Sequence, residues 1–231
     1  MGTGRDAANG EISPGEIVGV SQGTGISVLS SSPTSASVER RTSETLVRVS
    51  VEEGPRRQWR ISTGSAFLDH MVEIFAFYSG LNVDASVEAS RRLMHTVAED
   101  LGITLGTALR AMADARISST GCRCQGFAQA VLDEAYSQAR ISYEGRALAV
   151  VESNVGRFGQ VEDIQEEFLV ALLEGLAQGM RATVHVDVMR GRDPHHAWES
   201  AFRALGSALR SALERDEWRR GSIAGVKGTA D

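Results

Sequence analysis

The sequence predicts an α+β protein made of two duplicated half-domains, each a mixed β-sheet packed on one face by helices in a βαβ-type repeat. Three observations predict it. Residues 95–110, HTVAEDLGITLGTALR, and residues 195–210, HHAWESAFRALGSALR, share His, Glu, Gly and Ala-Leu-Arg at a constant spacing of one hundred positions. Strand-like and helix-like segments follow one another in the same order twice. The chain has 231 residues, 42% hydrophobic and 23% charged, which suits one ordinary globular domain or two fused halves.

The elements follow from local pattern. Residues 1–38 are rich in Gly, Ser and Thr and lack apolar periodicity, so they read as a mostly disordered arm, with folding from about Arg40. Residues 45–52, TLVRVSVE, alternate like a half-buried strand, and 58–63 read as its hairpin partner. Residues 66–79 have helical spacing and end at Gly80, a natural C-terminal cap. Residues 82–89 read as a strand and 94–116 as a long helix. Segments 127–133, 136–143 and 147–153 alternate as strands around a turn at Gly145. A helix over 163–180 and a strand over 182–190 precede a last helix over 194–215, with Asp193 as N-cap and Pro194 in its first turn. The halves therefore span about 39–117 and 127–215.

Charge and composition exclude several classes. Net charge is −6, which does not suit nucleic acid, since that needs a basic face. No apolar run approaches the roughly 20 residues of a membrane span. The N-terminus lacks the basic start and apolar stretch of a secretory signal, and Glu11 and Glu16 argue against organelle import, so a cytoplasmic location is expected. Cys122 and Cys124 form C-x-C and read as free thiols, because zinc motifs usually space their cysteines wider.

The repeated His-x-x-x-Glu carries the chemistry. Residues i and i+4 share a helix face, so an imidazole and a carboxylate can meet one cation. The five histidines are His70, His95, His185, His195 and His196. Adjacent residues on a helix point about 100° apart, so His195 and His196 do not easily serve one ion. The repeat also exposes a gap, because Thr96 stands opposite His196.

At FLDHM (67–71), HTVAEDLGITLG (95–106), TVHVDV (183–188) and HHAWESAFRALGSAL (195–209) the chain closely resembles the imidazoleglycerol-phosphate dehydratase family. Further echoes are RTSETLVRVSV (41–51), LDEA (132–135), EGR (144–146) and VKG (226–228), so the resemblance covers about residues 40–228. It implies a manganese-dependent hydro-lyase of histidine biosynthesis that removes water from D-erythro-imidazoleglycerol phosphate. It also implies a homo-oligomer, a shell of 24 subunits in which neighbouring subunits share metal ligands. By the pseudo-symmetry, the resemblance assigns one Mn2+ site to His95, Glu99, His185 and His196, and the other to His70, His195, Glu199 and the residue at position 96. Glu44 matches the catalytic acid/base. Arg123, Arg146, Arg203 (where the family has Lys) and Lys227 match substrate-phosphate positions. Thr96 replaces a family His, Ile74 a Gln and Tyr78 a His, and Arg-Tyr-Gly becomes Arg123-Cys124-Gln125-Gly126. A neutral hydroxyl is a poor manganese ligand beside imidazole. These departures leave a second reading open: a diverged paralogue with one intact metal site, running another reaction or serving as a non-catalytic assembly protein.

Overall fold

The computed structural model describes residues 24–222, together with Met1 and Gly225. The first half runs β1 (Gly25–Ser32), β2 (Ser35–Arg41), β3 (Thr45–Glu52), β4 (Arg60–Ser62), α1 (Ala66–Ser79), β5 (Asn82–Ala89) and α2 (Met94–Ser119). The second runs β6 (Gln125–Leu132), β7 (Ala135–Ser142), β8 (Leu148–Ser153), a two-stranded ribbon of β9 (Gln160–Val161) and β10 (Ile164–Gln165), α3 (Glu166–Met180), β11 (Thr183–Arg190) and α4 (Pro194–Ala212).

The duplication is visible in the strand orders, β1-β2-β3-β5-β4 in one sheet and β6-β7-β11-β8 in the other. Without β1 they match strand for strand. In each sheet two antiparallel pairings are followed by one parallel pairing, β4 on β5 and β8 on β11. A helix bridges each parallel pair, as parallel strands require. Each sheet buries one face. Val47, Val49 and Val51 of β3 and Val184, Val186 and Val188 of β11 point inward, with polar neighbours between them. Helix α2 covers the first sheet and α4 the second, while α1 crosses α4 and α3 crosses α2. One hydrophobic core runs through both halves.

The α2–α3 crossing is a contact of backbones. A Cβ on Gly106 would sit 2.3 Å from the Leu176 carbonyl oxygen, and one on Gly179 would sit 2.1 Å from that of Ile103. Gly102 and Gly175 meet the partner helix in the same way. Only glycine fits at these positions, whatever its cost in helix propensity.

Three sequence expectations are corrected. Within the arm assigned to 1–38, residues 25–38 belong to the β1–β2 hairpin and its turn; residues 2–23 lie outside the described residues. Serine-rich composition hid two core contacts, Ala36 and Val38, and a turn held by the Ser32 hydroxyl and by Arg116, whose Nε reaches the Pro33 oxygen at 2.8 Å. Segment 58–63 does not pair with β3, because β2 and β5 occupy both edges of that strand; β4 pairs in parallel with β5 instead. The helix read from residue 163 starts at Glu166, since Val161 and Ile164 turn into the core as a tight ribbon with Glu162 left-handed (φ 50°). The caps at Gly80 (φ 74°) and Asp193 form as read, and Cys122 and Cys124 are free, buried thiols.

Candidate metal centre

The site forms where the first turns of α1 and α4 meet. Helix α1 starts at Ser65, whose side chain accepts from the Leu68 N–H. The Asp163 carboxylate, from the β9–β10 turn, accepts from the N–H groups of Ala66 (2.7 Å) and Phe67 (3.0 Å) and from the Ser65 hydroxyl. Negative charge is favoured at a helix N-terminus, and this clamp fixes the start of the helix that carries His70. On α4 the Asp193 side chain accepts from the N–H of His195, so His195 and Glu199 project from the first two turns.

His70, His195 and Glu199 converge. Glu199 is 7% exposed, and its Oε2 lies 3.2 Å from His70 Nε2 and 3.2 Å from His195 Nε2. The ligand atoms of the three residues all lie within 4.8 Å of one another, the one such group among the described residues. Two imidazole nitrogens and one carboxylate oxygen make a donor set suited to a borderline divalent cation. Each imidazole of the His195-His196 pair is steered through its other nitrogen. His195 Nδ1 meets Glu162 Oε1 at 3.0 Å, and His196 Nδ1 meets Glu134 Oε2 at 2.9 Å. A carboxylate on Nδ1 favours the tautomer protonated there and leaves the Nε2 lone pair for a cation. Phe67 packs edge-on against His195 with centroids 5.1 Å apart.

Electrostatics agree with the geometry. Burial raises the Glu199 pKa, but hydrogen bonds from Arg203 and then His70 outweigh it and hold the group below its ordinary value, ionised. Backbone N–H donation from Asp193, and then His196, brings Glu134 down to about 2, and Glu134 in turn raises His196.

The other sequence-predicted residues are dispersed. His95 is exposed at the start of α2 and packs edge-on against Phe168, at 6.1 Å between centroids. Glu99 lies half-buried one turn further on. His185 sits on the outer face of the second sheet, in an open groove of about 600 Å³ with Arg123, Phe127, Arg140 and Arg219. His95, Glu99, His185 and His196 therefore do not meet within one chain. Glu44 is exposed in the β2–β3 turn, where its carbonyl accepts from Ser90. Arg123 pairs with Glu214 at 2.9 Å and Arg146 with Glu144 at 3.0 Å, both at the surface. Arg203 is taken up by Glu199 rather than left free. Lys227 lies outside the described residues.

Sequence reasoning missed Glu134, Glu162 and Asp163. Glu134 was within reach: it closes the β6–β7 turn as Glu44 closes β2–β3, ninety positions earlier. Glu162 and Asp163 carried no signal once the segment was read as helix.

A duplicated α+β protein with an imidazole–carboxylate centre between its halves is the class that fold and site define. Residues 63–209 match the family model described as imidazoleglycerol-phosphate dehydratase. An imidazoleglycerol-phosphate dehydratase of Neisseria gonorrhoeae is 35% identical over 202 residues, 84% of this chain; the chain spans 63% of that protein's length. One of Bordetella petrii is 34% identical over 84% of this chain and 97% of its own length. The crystal structure of the Pyrococcus furiosus protein has a TM-score of 0.70 at 32% identity, covering 82% of this chain and 98% of its own. That of the Staphylococcus aureus protein has a TM-score of 0.67 at 25% identity, covering 79% and 99%. The chain belongs to the imidazoleglycerol-phosphate dehydratase family.

Proposed function

We propose that the chain removes water from D-erythro-imidazoleglycerol phosphate, as a manganese-dependent lyase of histidine synthesis in the cytoplasm. The observation that carries this is the convergence of His70, His195 and Glu199 on one point between α1 and α4. Those three side chains would hold the cation. A bound Mn2+ supplies Lewis acidity toward an imidazole nitrogen of the substrate. His196, steered by Glu134, would serve a second cation with His95, Glu99 and His185. Those residues lie too widely spread to meet within one chain, which supports a homo-oligomer whose copies complete one another's sites, such as a shell of 24.

The elimination breaks a C–H and a C–O bond and releases one water. Glu44, exposed and free of ion pairs among the described residues, is our choice for the group that accepts and returns the proton. Arg123, Arg146 and Lys227 are our choices for the phosphate, with Arg140 and Arg219 beside Arg123 in the groove that also holds His185.

Thr96 favours a second reading, a diverged member with one intact metal site and another reaction or an assembly role. Two measurements discriminate. The dehydratase reading expects rescue of an auxotroph lacking this enzyme, and imidazole acetol phosphate formed by purified protein with Mn2+. Soluble, metal-loaded protein that does neither would overturn it in favour of the diverged reading.

A further inference from the structure

Arg203 matches a position expected to hold substrate phosphate, yet its guanidinium is committed elsewhere. Its Nε and Nη2 both donate to Glu199 Oε1, at 3.0 and 2.6 Å. Its Nη1 donates to the Val131 carbonyl at 3.2 Å, and its Cζ lies over the Tyr78 ring, 5.4 Å from the centroid. Three of its sides are thus engaged, by α4 itself, by the end of β6 and by α1. Arg203 and Tyr78 form one set at this spot, across the α1–α4 crossing. An aromatic face supports a planar guanidinium better than an ammonium, and only the guanidinium can deliver two bonds to one oxygen and a third to a carbonyl.

We propose that Arg203 is a positioning residue, which occupies one oxygen of Glu199 so that the other alone faces His70 and His195. The proposal rests on the metal reading of that centre. Its geometric content is that Glu199 acts as a one-oxygen ligand in a fixed rotamer. A carboxylate free to rotate would present either oxygen or both, and would spend its time among arrangements of which few match the two imidazoles. Groups that orient a metal ligand from behind typically change metal affinity 10–100-fold when removed.

Lysine at 203 is the informative change. It keeps the positive charge, and with it any repulsion of a cation, and loses only the fork. A phosphate ligand would tolerate that change comparatively well, since lysine binds phosphate as a point charge. Purified full-length wild type, Arg203→Lys, Arg203→Gln and His70→Ala are titrated with Mn2+ alone, followed by electron paramagnetic resonance, and separately with inorganic phosphate. Far-ultraviolet circular dichroism verifies the fold. We expect Arg203→Lys to weaken, by about 10–100-fold, the Mn2+ component that His70→Ala removes, with phosphate affinity within about twofold of wild type. Arg203→Gln should weaken it as well. If charge alone mattered, losing a neighbouring cation would tighten Mn2+ instead, and that outcome overturns the proposal. Unchanged Mn2+ affinity in Arg203→Lys also overturns it, whether or not phosphate binding falls. If wild type and His70→Ala bind Mn2+ equally, the metal reading itself has failed, which is a different result. Tyr78→Leu removes the supporting ring without touching the carboxylate, and should weaken Mn2+ in the same direction by a smaller factor.

Discussion

Gly106→Ala separates two effects of opposite sign. Alanine is a better helix former than glycine by about 1 kcal/mol, so a helix free of neighbours would gain that much. Here the new Cβ meets only backbone: the Leu176 oxygen at 2.3 Å, the Met180 nitrogen at 2.8 Å and the Gly179 Cα at 3.0 Å. No rotamer relieves such a contact, so α2 and α3 must part by roughly 0.7 Å, an overpacking that costs about 3 kcal/mol, the upper end of the usual range. The net expectation is a loss of about 2 kcal/mol, a fall of about 1 M in the urea midpoint. Gly206→Ala is the internal comparison. Its nearest neighbours are the Phe75 oxygen at 2.7 Å and the Tyr78 Cβ at 2.9 Å, so the two effects nearly cancel, to within about 1 kcal/mol. The assay is equilibrium urea unfolding at fixed protein concentration with chelator present, because metal and assembly would shift the midpoint by mass action. A Gly106→Ala protein as stable as wild type, or more stable, would refute the backbone contact.

Three further outcomes are expected. Thr96→His should add bound Mn2+ per subunit, read by elemental analysis, and raise imidazole acetol phosphate formation by orders of magnitude, because a second Lewis acid is worth several kcal/mol to such a transition state; unchanged metal content and rate would dismiss Thr96 as the defect. Asp163→Ala should cost about 1 kcal/mol, as lost helix caps do. Burial raises the Asp163 pKa, but donation from Phe67 N–H and Ala66 N–H outweighs it and lowers the group. The stabilisation is therefore present above the ordinary carboxylate pKa of about 4 and is lost as pH falls through the lower folded value, so Asp163→Ala and wild type should converge at the acid end of a stability–pH series. Glu162→Gln should weaken Mn2+ by about tenfold without unfolding the chain, since it replaces the charged acceptor on His195 Nδ1 with a neutral one; full affinity would show that the carboxylate charge plays no part.

Much of the molecule was legible because it repeats. The constant spacing of His95 to His195 and Glu99 to Glu199 gave the two halves before any element was drawn, and the caps at Gly80 and Asp193 bounded helices by local chemistry alone. What stayed hidden depended on tertiary contacts. The β1–β2 hairpin is serine-rich and enters the core through Ala36 and Val38, so its pattern is too short to read. The partner of β4 is decided by which sheet edges are already occupied. Arg203 has the charge that a phosphate site needs, but its i, i+4 spacing from Glu199 on one helix was a legible signal of the pair that forms. His70, His195 and Glu199, grouped by pseudo-symmetry, do lie together between α1 and α4, yet Glu134 was passed over although the same symmetry relates it to Glu44.

The duplicated halves have come to use equivalent helix crossings differently. Phe67-Leu68 on α1 corresponds to Phe168-Leu169 on α3, which sets Ala171 where α1 has His70. Likewise Ile103 stands where α4 has Arg203, and Gly102 where it has Phe202. The α2–α3 crossing lacks the imidazole and the guanidinium, and its four glycines bring the backbones into contact. The α1–α4 crossing keeps one such glycine, Gly206, and the wider spacing leaves room for a carboxylate between two imidazoles. Close packing and a ligand centre compete for the same volume, so one crossing cannot serve both. The turns follow the same division: Glu134 finds an imidazole at His196, while Glu44 has Thr96 at the equivalent place and no ion pair among the described residues. An exposed carboxylate without an ion-pair partner costs the fold little and is free to move a proton. On our proposal the first half carries both departures from the second, Thr96 where the second half has His196, and Glu44 as an exposed carboxylate free to act as the base.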